Sequence, residues 1–518
     1  MRPKAWTPDR ALRIGVDFGT THTIVALADS GNYPVLNLPY EYTGEVLTAD
    51  FTPSCLTVLG DRLYFGPAAT RCFLERFEDG ATLIPSIKRL LQHWYVGQRL
   101  EAGGREYQVS DLLTAFLSEV RRAVLRAVDV QEAEIEAVIA VPANASSSQR
   151  YVTLNCFREA GFRVLQVLDE PAAAGIQFVR ERYKRWDRVE ADVIIYDLGG
   201  GTFDATLLSI EREKYDPVLS RGISRLGGDD FDAALLSLVE EARGGIFRDR
   251  ERIEMLQVVR AVKESIGPYT QKLHVDTSEG VVSIPVRDFH EAVRPLMDRT
   301  IELMDQVIAK TMGRRAEADR IVLVGGGTLL GVVPKLLRER YGRAKVHQGL
   351  YPFAAVAIGA AIQAESPNLE VQSRLNNHFG VIRVLEDGQE YVDVIFEKGL
   401  PLPEHNGLLR VTRPPYDPRY NIGRFQYLEC DHINPKTQMP GGEPVYWNEI
   451  LFPYDRAVNP DGAAPRDLEQ APIARTPLLR EERILEEYFL DEYGIITTRI
   501  SRTIQDGFSN CYNLYRRR

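Results

Sequence analysis

Short apolar runs recur along the first two thirds of the chain, most of them ending on a polar, glycine-containing bend. Residues 193–196 (VIIY) lead into Asp197, and Gly199, Gly200, Gly201 and Thr202 follow at once. A brief buried strand and a turn that favours glycine account for that order. Residues 13–17 run into Asp17-Phe18-Gly19-Thr20-Thr21 in the same manner. Each bend is followed by a second apolar run, at 24–27 in one case and 205–208 in the other. Two hairpins of one grammar, far apart in sequence, predict a duplicated domain.

Between and beyond these bends the period alternates. Strands are expected at 51–59, 63–65, 135–141 and 164–168, with a short amphipathic segment at 87–91. Leu112, Leu113, Phe116, Leu117, Val120, Val124, Leu125 and Val128 fall at helical spacing, so residues 110–129 predict a core-facing helix. Ser146 to Ser148 offer a cap for a helix that runs to Ala160 and stops at Gly161. Asp169-Glu170-Pro171 opens another, with proline tolerated in the first turn. Past the second hairpin, Gly227-Gly228 precede a helix, and a strand pair is expected at 272–275 and 281–286. The run 321–324 meets Gly325-Gly326-Gly327-Thr328, a helix follows at 332–340, and a small-residue helix at 354–364 can pack close to a sheet. Strand and helix in alternation predict an α/β domain over residues 1–366.

At Glu365-Ser366-Pro367 the character changes. A polar linker is expected at 367–378 and a β-rich domain at 379–518. The hairpin signal is strongest at 381–385 and 391–396, with further strands at 421–430 and 486–500. Residues 453–480, rich in proline and alanine, read as a loop or extended insert, and no long C-terminal helix is expected.

Composition narrows the class. The chain has 518 residues, 44% of them hydrophobic, ample for a large core and roughly two to four domains. A net charge of -10 and a pI near 5.5 argue against nucleic acid as a main partner. Arg516 to Arg518 are too few to change that and read as a solvated tail. Cys55, Cys72, Cys156, Cys430 and Cys511 lack CxxC spacing, so neither a zinc signature nor a disulfide framework is expected. The N-terminus has no apolar leader core, and no run approaches the ~18–20 residues of a membrane helix. A soluble cytoplasmic protein without a membrane partner is the expectation.

The bends carry the candidate chemistry. A glycine turn bares backbone N–H groups, which bind phosphate oxygens. An aspartate beside phosphate usually holds a hydrated divalent cation. One such stretch is equally a buried strand with a glycine bend at a sheet corner. Two facing each other can hold one polyphosphate, and glycines before a helix N-terminus again favour an anion.

The stretches IGVDFGTTHT, IPSIKRLL, VIAVPANASSSQR, VLDEPAAAG, IIYDLGGGTFD, RLGGDDFD and IVLVGGGT resemble the seventy-kilodalton heat-shock chaperone family of the actin-like ATPase superfamily. The resemblance spans residues 13–330 and continues more weakly to about Ala364. It implies an actin-like ATPase domain of duplicated ribonuclease-H-like halves, followed by a β-sandwich that resembles the family's peptide-binding domain without a helical lid. The implied ligands are ATP or ADP and Mg2+, with K+ a further candidate. The implied partners are extended or unfolded peptide, co-chaperones and nucleotide-exchange factors.

In that family pattern Asp17 and Asp197 hold Mg2+ through water. Gly19, Thr20 and Thr21 match the first phosphate loop, and Gly199, Gly200 and Gly201 the second. Lys88 matches the lysine that reaches the γ-phosphate and attacking water. Glu170 matches a carboxylate near metal and water, and Thr202 and Asp204 lie beside the γ-phosphate. The implied catalytic set is Lys88, Glu170, Asp197 and Thr202. Gly227, Gly228, Lys263, Glu264, Gly325, Gly326, Gly327 and Thr328 complete the nucleotide surround, and Pro142 and Arg150 match positions that relay nucleotide state.

Three departures follow. Leu329 and Glu264 stand where the family places adenine-stacking arginines, and Phe353 replaces an acidic residue. Each cation–π stack is worth about 0.5–2 kcal/mol, roughly 2- to 30-fold in affinity, so weaker and less adenine-selective binding is expected. The linker, residues 368–375, is mostly polar where the family uses an acidic, leucine-rich one, which puts interdomain coupling in doubt. Without a lid, bound peptide should leave quickly. The favoured reading is a chaperone-like protein that slowly hydrolyses ATP. The alternative is a nucleotide-regulated adaptor or scaffold with weak or no ATPase activity. A small-molecule kinase is set aside, because sugar kinases lack the DEPAAA stretch and the β-sandwich.

Overall fold

The computed structural model describes residues 11–515 apart from 92–96, 184–187, 312–319, 367, 386–387, 443, 448, 459–467, 469, 476–481 and 505–506. Residues 1–10, the arginines at 516–518, the tip of the 381–396 hairpin and most of the 453–480 insert therefore lie outside the described residues.

Strands β1 (Leu12–Phe18) and β2 (His22–Leu27) pair antiparallel, and β3 (Thr52–Pro53) extends the sheet beyond β2. On the other side β4 (Ile135–Val141) and β5 (Arg163–Asp169) run parallel to β1, giving the order β5-β4-β1-β2-β3. The second half repeats the plan. Strands β6 (Glu190–Leu198), β7 (Phe203–Glu211) and β8 (Lys214–Ile223) form an antiparallel meander. Strands β9 (Arg320–Val324) and β10 (Val346–Gln348) run parallel beside β6, giving β10-β9-β6-β7-β8. The duplication expected from the two hairpins is thus present strand for strand. Every residue of β4 is buried, as a parallel strand covered on both faces requires.

Helices α1 (Val109–Ala127) and α2 (Ser147–Glu159) belong to the first half. Ser146 caps α2, with Gln149 completing a capping box. Helix α3 (Glu170–Arg182) leads toward the second half, which carries α4 (Gly228–Arg243) and α5 (Asp249–Glu264). Helix α6 (Ala355–Glu365) lies against α3 between the two sheets. A Cβ on Gly359 would sit 1.8 Å from the Ala173 carbonyl oxygen, so this pair depends on a missing side chain.

The linker forms β11 (Glu370–Val371), which pairs parallel with the outer edge of β8. Arg374 then grips Asp216 through two bonds of 3.0 and 2.7 Å. A polar linker docks here because strand pairing uses backbone groups and needs no apolar side chain.

Beyond it, β12 (His378–Val384) and β13 (Glu390–Phe396) form the expected hairpin, and β14 (Leu408–Tyr416) follows. The stretch expected to contribute strands at 421–430 holds two, β15 (Ile422–Phe425) and β16 (Tyr427–Cys430), which serve different sheets, and that at 486–500 spans parts of two more. The chain turns a corner at Gln426, whose amide donates to the Trp447 carbonyl at 2.6 Å. Further strands are β17 (Val445–Tyr446), β18 (Ile450–Pro453), β19 (Ile484–Asp491), β20 (Ile496–Arg502) and β21 (Ser509–Asn513), besides a short pair at His432–Ile433 and Pro440–Gly441. Two sheets, β13-β12-β16-β17 and β14-β19-β20-β21, face each other, and β15 pairs with β18. Phe379, Tyr427 and Tyr488 fill the space between them. Strand β14 is absent from the sequence expectations because it contains Pro414 and Pro415. It sits at a sheet edge, and its register slips between Arg413 and Tyr416 where the prolines lack N–H groups.

Candidate functional site

The ends of β1, β5, β6 and β9 meet at a cavity of about 560 Å3 between the two halves. Open α/β sheets present ligand sites at these carboxyl ends. Strand β1 delivers Asp17, and the bend after it closes through Gly19 N–H to the His22 carbonyl at 3.0 Å. Strand β6 delivers Asp197, and its bend closes identically, Gly199 N–H to the Thr202 carbonyl at 3.1 Å. Asp204 lies directly opposite Asp197 in register, so both carboxylates share a face. Glu170 opens α3, and Lys88 comes from a short 3-10 turn (Lys88–Leu91). Lys88 Nζ donates to Glu170 Oε1 at 2.9 Å.

The two bends touch. A Cβ on Gly200 would lie 1.7 Å from Thr21 Oγ1, and that hydroxyl is buried without a partner among the described residues. The second bend is tied to the start of α4, with Gly228 N–H on the Gly199 carbonyl at 2.9 Å and Asp229 N–H on that of Gly200 at 2.7 Å. Ser54 holds the Gly19 carbonyl at 2.8 Å and Ser86 that of Thr20 at 2.5 Å.

Charge is crowded at this end. Loss of bulk water, then Glu170, pushes Asp17 up to about 8, against the opposing pull of Lys88. The same causes raise Asp197 to about 8 and Asp204 to about 7, with Asp204 itself adding to the rise at Asp197. Carboxylates held this close suit a divalent cation with phosphate oxygens, and Thr21 Oγ1 and the glycine bends suit the phosphates. Among the described residues no three acidic, histidine or cysteine side chains close in on a common point as direct metal ligands.

Most of the sequence-derived residues line the cavity: Asp17, Gly19, Thr20, Thr21, Lys88, Glu170, Asp197, Gly199, Gly200, Thr202, Asp204, Gly228, Lys263, Glu264 and Gly325 to Gly327. Gly201, Gly227 and Thr328 are not part of that lining. Thr328 is fully buried and its hydroxyl donates to the Gly325 carbonyl at 2.7 Å, so it closes its own bend. Pro142 also faces the cavity, while Arg150 pairs with Asp169 in the interior.

Several residues enter that sequence reasoning passed over. Asn144 Nδ2 reaches Asp204 Oδ1 at 3.4 Å. Asp229 accepts Arg89 from the first half at 2.5 Å and Arg260 from the second at 2.7 Å, bridging the cleft. Arg260 and Lys263 also hold Asp232, at 2.8 and 2.6 Å. Arg89 adjoins Lys88 in IKRLL, the one signal that pointed to it. The cavity is also lined by Leu329, Ile266 and Phe353, with Phe51 edge-on to Phe353 at 4.5 Å. His22 touches Phe51, and burial with Arg260 and Lys263 nearby lowers its pKa to about 4, which keeps the imidazole neutral.

Duplicated halves, paired strand-and-bend loops and carboxylates at the sheet ends define an actin-like ATPase fold with a β-sandwich appended. The chain belongs to the Hsp70 family: the Hsp70 protein family matches residues 13–374. It is 30% identical over 375 residues to the chaperone protein HscA of Klebsiella pneumoniae, covering 69% of this chain and 58% of that protein. It is 30% identical over 387 residues to a heat shock protein of Pyricularia oryzae (68% and 61%). It is 27% identical over 365 residues to the chaperone protein DnaK of Mycoplasmopsis pulmonis (68% and 57%). The chain thus spans about three fifths of the length of these relatives.

Proposed function

We propose that this protein binds ATP with Mg2+ in the cleft and hydrolyses it slowly, as a chaperone-like protein whose β-rich domain takes extended peptide. The observation that supports this most is the convergence of Asp17, Glu170, Asp197 and Asp204 with Lys88 where the two glycine bends touch. Phosphoryl transfer asks a protein mainly for placement and charge neutralisation. The bends offer backbone N–H groups to the phosphates, and Thr20, Thr21 and Thr202 add hydroxyls. Bound Mg2+ would neutralise phosphate charge from the side of Asp17 and Asp197. Lys88 holds Glu170 through Oε1 and so orients a carboxylate to position a water and accept its proton. Lys88 also supplies positive charge where negative charge moves. The base meets Leu329, Phe353 and Glu264 in place of stacking arginines, so GTP should compete with ATP.

This reading places an ATPase domain at 1–366, a linker at 367–378 and the β-rich domain at 379–518. K+ is a candidate companion ion, and co-chaperones or exchange factors are candidate partners. The free cysteines accord with a reducing cytoplasm, and no helix among the described residues is long and apolar enough to cross a membrane. A second reading, a nucleotide-regulated scaffold with little hydrolysis, is favoured by the strand-paired linker. Single-turnover hydrolysis of radiolabelled ATP and GTP separates them. Wild type should hydrolyse ATP, and Lys88→Ala should be slower by about 10²–10³-fold. Wild-type rates at background would sink the enzyme reading and leave the scaffold.

A further inference from the structure

Besides the bends and carboxylates, the cavity lining holds an apolar set: Phe51, Phe353, Leu329, Leu330 and Ile266. Its rings belong to a row. His22 meets Phe51 at 6.4 Å with planes 77° apart, Phe51 meets Phe353 at 4.5 Å and 76°, and Phe353 meets Tyr351 at 6.1 Å and 80°. Edge-to-face contacts of this kind do not cover both faces of every ring, as flat stacking on two sides would. Phe51 is 37% exposed, Leu329 52% and Tyr351 53%. Side chains that only complete a core are not left this open, and apolar exposure gathered at a cavity marks a binding surface.

Backbone bonds fix this row to the glycine bends. Ser54 N–H, three residues past Phe51, donates to the Thr21 carbonyl at 2.9 Å. The carbonyl of Pro352, next to Phe353, accepts the Gly325 N–H at 2.9 Å. A ligand seated on the bends therefore meets the rings at a set spacing. The nearby cations are engaged elsewhere: Lys88 with Glu170, Arg260 with Asp229 and Asp232, and Lys263 with Asp232. Arg225 also lines the cavity and is the rival for a contact with a flat ligand group.

We infer that Phe51 and Phe353 are specificity-determining residues of the cleft: together they form an aromatic shelf that takes the base of a nucleotide by its ring face. Stacking is tolerant because every base has a π-face, so the shelf holds a base without reading the exocyclic groups that tell adenine from guanine. His22 borders the shelf as a neutral imidazole, one nitrogen a donor and the other an acceptor, which suits a sugar hydroxyl. The inference rests on the reading of the cleft as a nucleotide site and adds to it the side chains that hold the base.

The test titrates the full chain calorimetrically with Mg-ATP, Mg-GTP and magnesium tripolyphosphate, which carries the phosphates and no base. Wild type should bind all three. Phe51→Ala and Phe353→Ala should each weaken both nucleotides by about 5- to 100-fold and leave tripolyphosphate within about twofold of wild type. Should an alanine variant fail to fold, Phe51→Leu and Phe353→Leu, which keep apolar bulk and lose the π-face, decide in the same way. Nucleotide affinities unmoved in both variants would overturn the inference and leave the phosphate site standing. A loss of tripolyphosphate as large as that of the nucleotides would overturn it too, since the rings would then serve the phosphate end or the fold. So would a loss of nucleotide confined to Arg225→Ala. No binding of tripolyphosphate or nucleotide by wild type would overturn the nucleotide reading and the inference together.

Discussion

The cleft and the face where the β-rich domain meets α2 both enclose charged groups, and they surround them differently: the cleft gathers like charges, the other face does not. In the cleft, Asp17, Asp197 and Asp204 crowd together with Glu170, and burial plus mutual repulsion lift the first three far above ordinary carboxylate values. At that face the enclosed charges sit among partners of another kind: Arg150 has Asp169, and Glu429, raised by burial to about 7, accepts from Ser147 and Asn377. Like charges held together weaken the fold that holds them, whereas matched groups are neutral or better. The contrast accords with the proposal of a cationic ligand with phosphate in the cleft.

The sharpest way to break that contrast is to neutralise one member of each region. Asp197→Asn should slow ATP hydrolysis by about 10²–10³-fold while raising the thermal midpoint, because the cost of burying or protonating that carboxylate on folding is gone. A lower midpoint would mean that Asp197 is structural. Tyr515→Ala should do the reverse, costing about 3–5 kcal/mol in urea unfolding with single-turnover hydrolysis per folded molecule retained. Loss of hydrolysis in parallel would tie the Tyr515 contacts, Tyr151 of α2 among them, to the chemistry.

A smaller effect concerns pH. Burial raises Glu429 to about 7 from an ordinary 4.5, so the folded protein favours its protonated form. Stability from this group is full below about 4.5, falls as pH rises toward about 7, and is level above that. The loss can reach about 3 kcal/mol. Urea midpoints of wild type and Glu429→Gln should therefore diverge between pH 5 and pH 8, with Gln ahead at the higher pH. Parallel curves would contradict the burial of a charge there. The smallest expected effect is at the base end, where ATP and GTP affinities should lie within about tenfold of one another. A strong preference for ATP would restore the adenine contacts that Leu329 and Glu264 lack.

Much of the cleft was legible because its determinants are local. Strand, glycine bend and strand occupy consecutive residues at 13–27 and 193–208, and Ser146 with Gln149 announces α2 within four positions. The interface was not legible, because its contacts join residues hundreds of positions apart, such as Tyr151 with Tyr515 and Ser147 with Glu429. No local period encodes such pairings. Polar composition hid the pairing of β11 with β8, and prolines hid β14. Thr328 shows the converse limit. Its bend has the grammar of a phosphate loop, yet the hydroxyl turns inward to Gly325.

On the proposed function, the paired bends and crowded carboxylates hold nucleotide polyphosphate with a divalent cation. Calorimetric titration of ATP, with Mg2+ and with EDTA, into wild type and Asp197→Asn tests it most directly. The account predicts one site per chain, binding at least about tenfold weaker in EDTA, and a smaller dependence on Mg2+ in Asp197→Asn. No binding in any condition, or equal affinity with Mg2+ and EDTA in wild type, would contradict it.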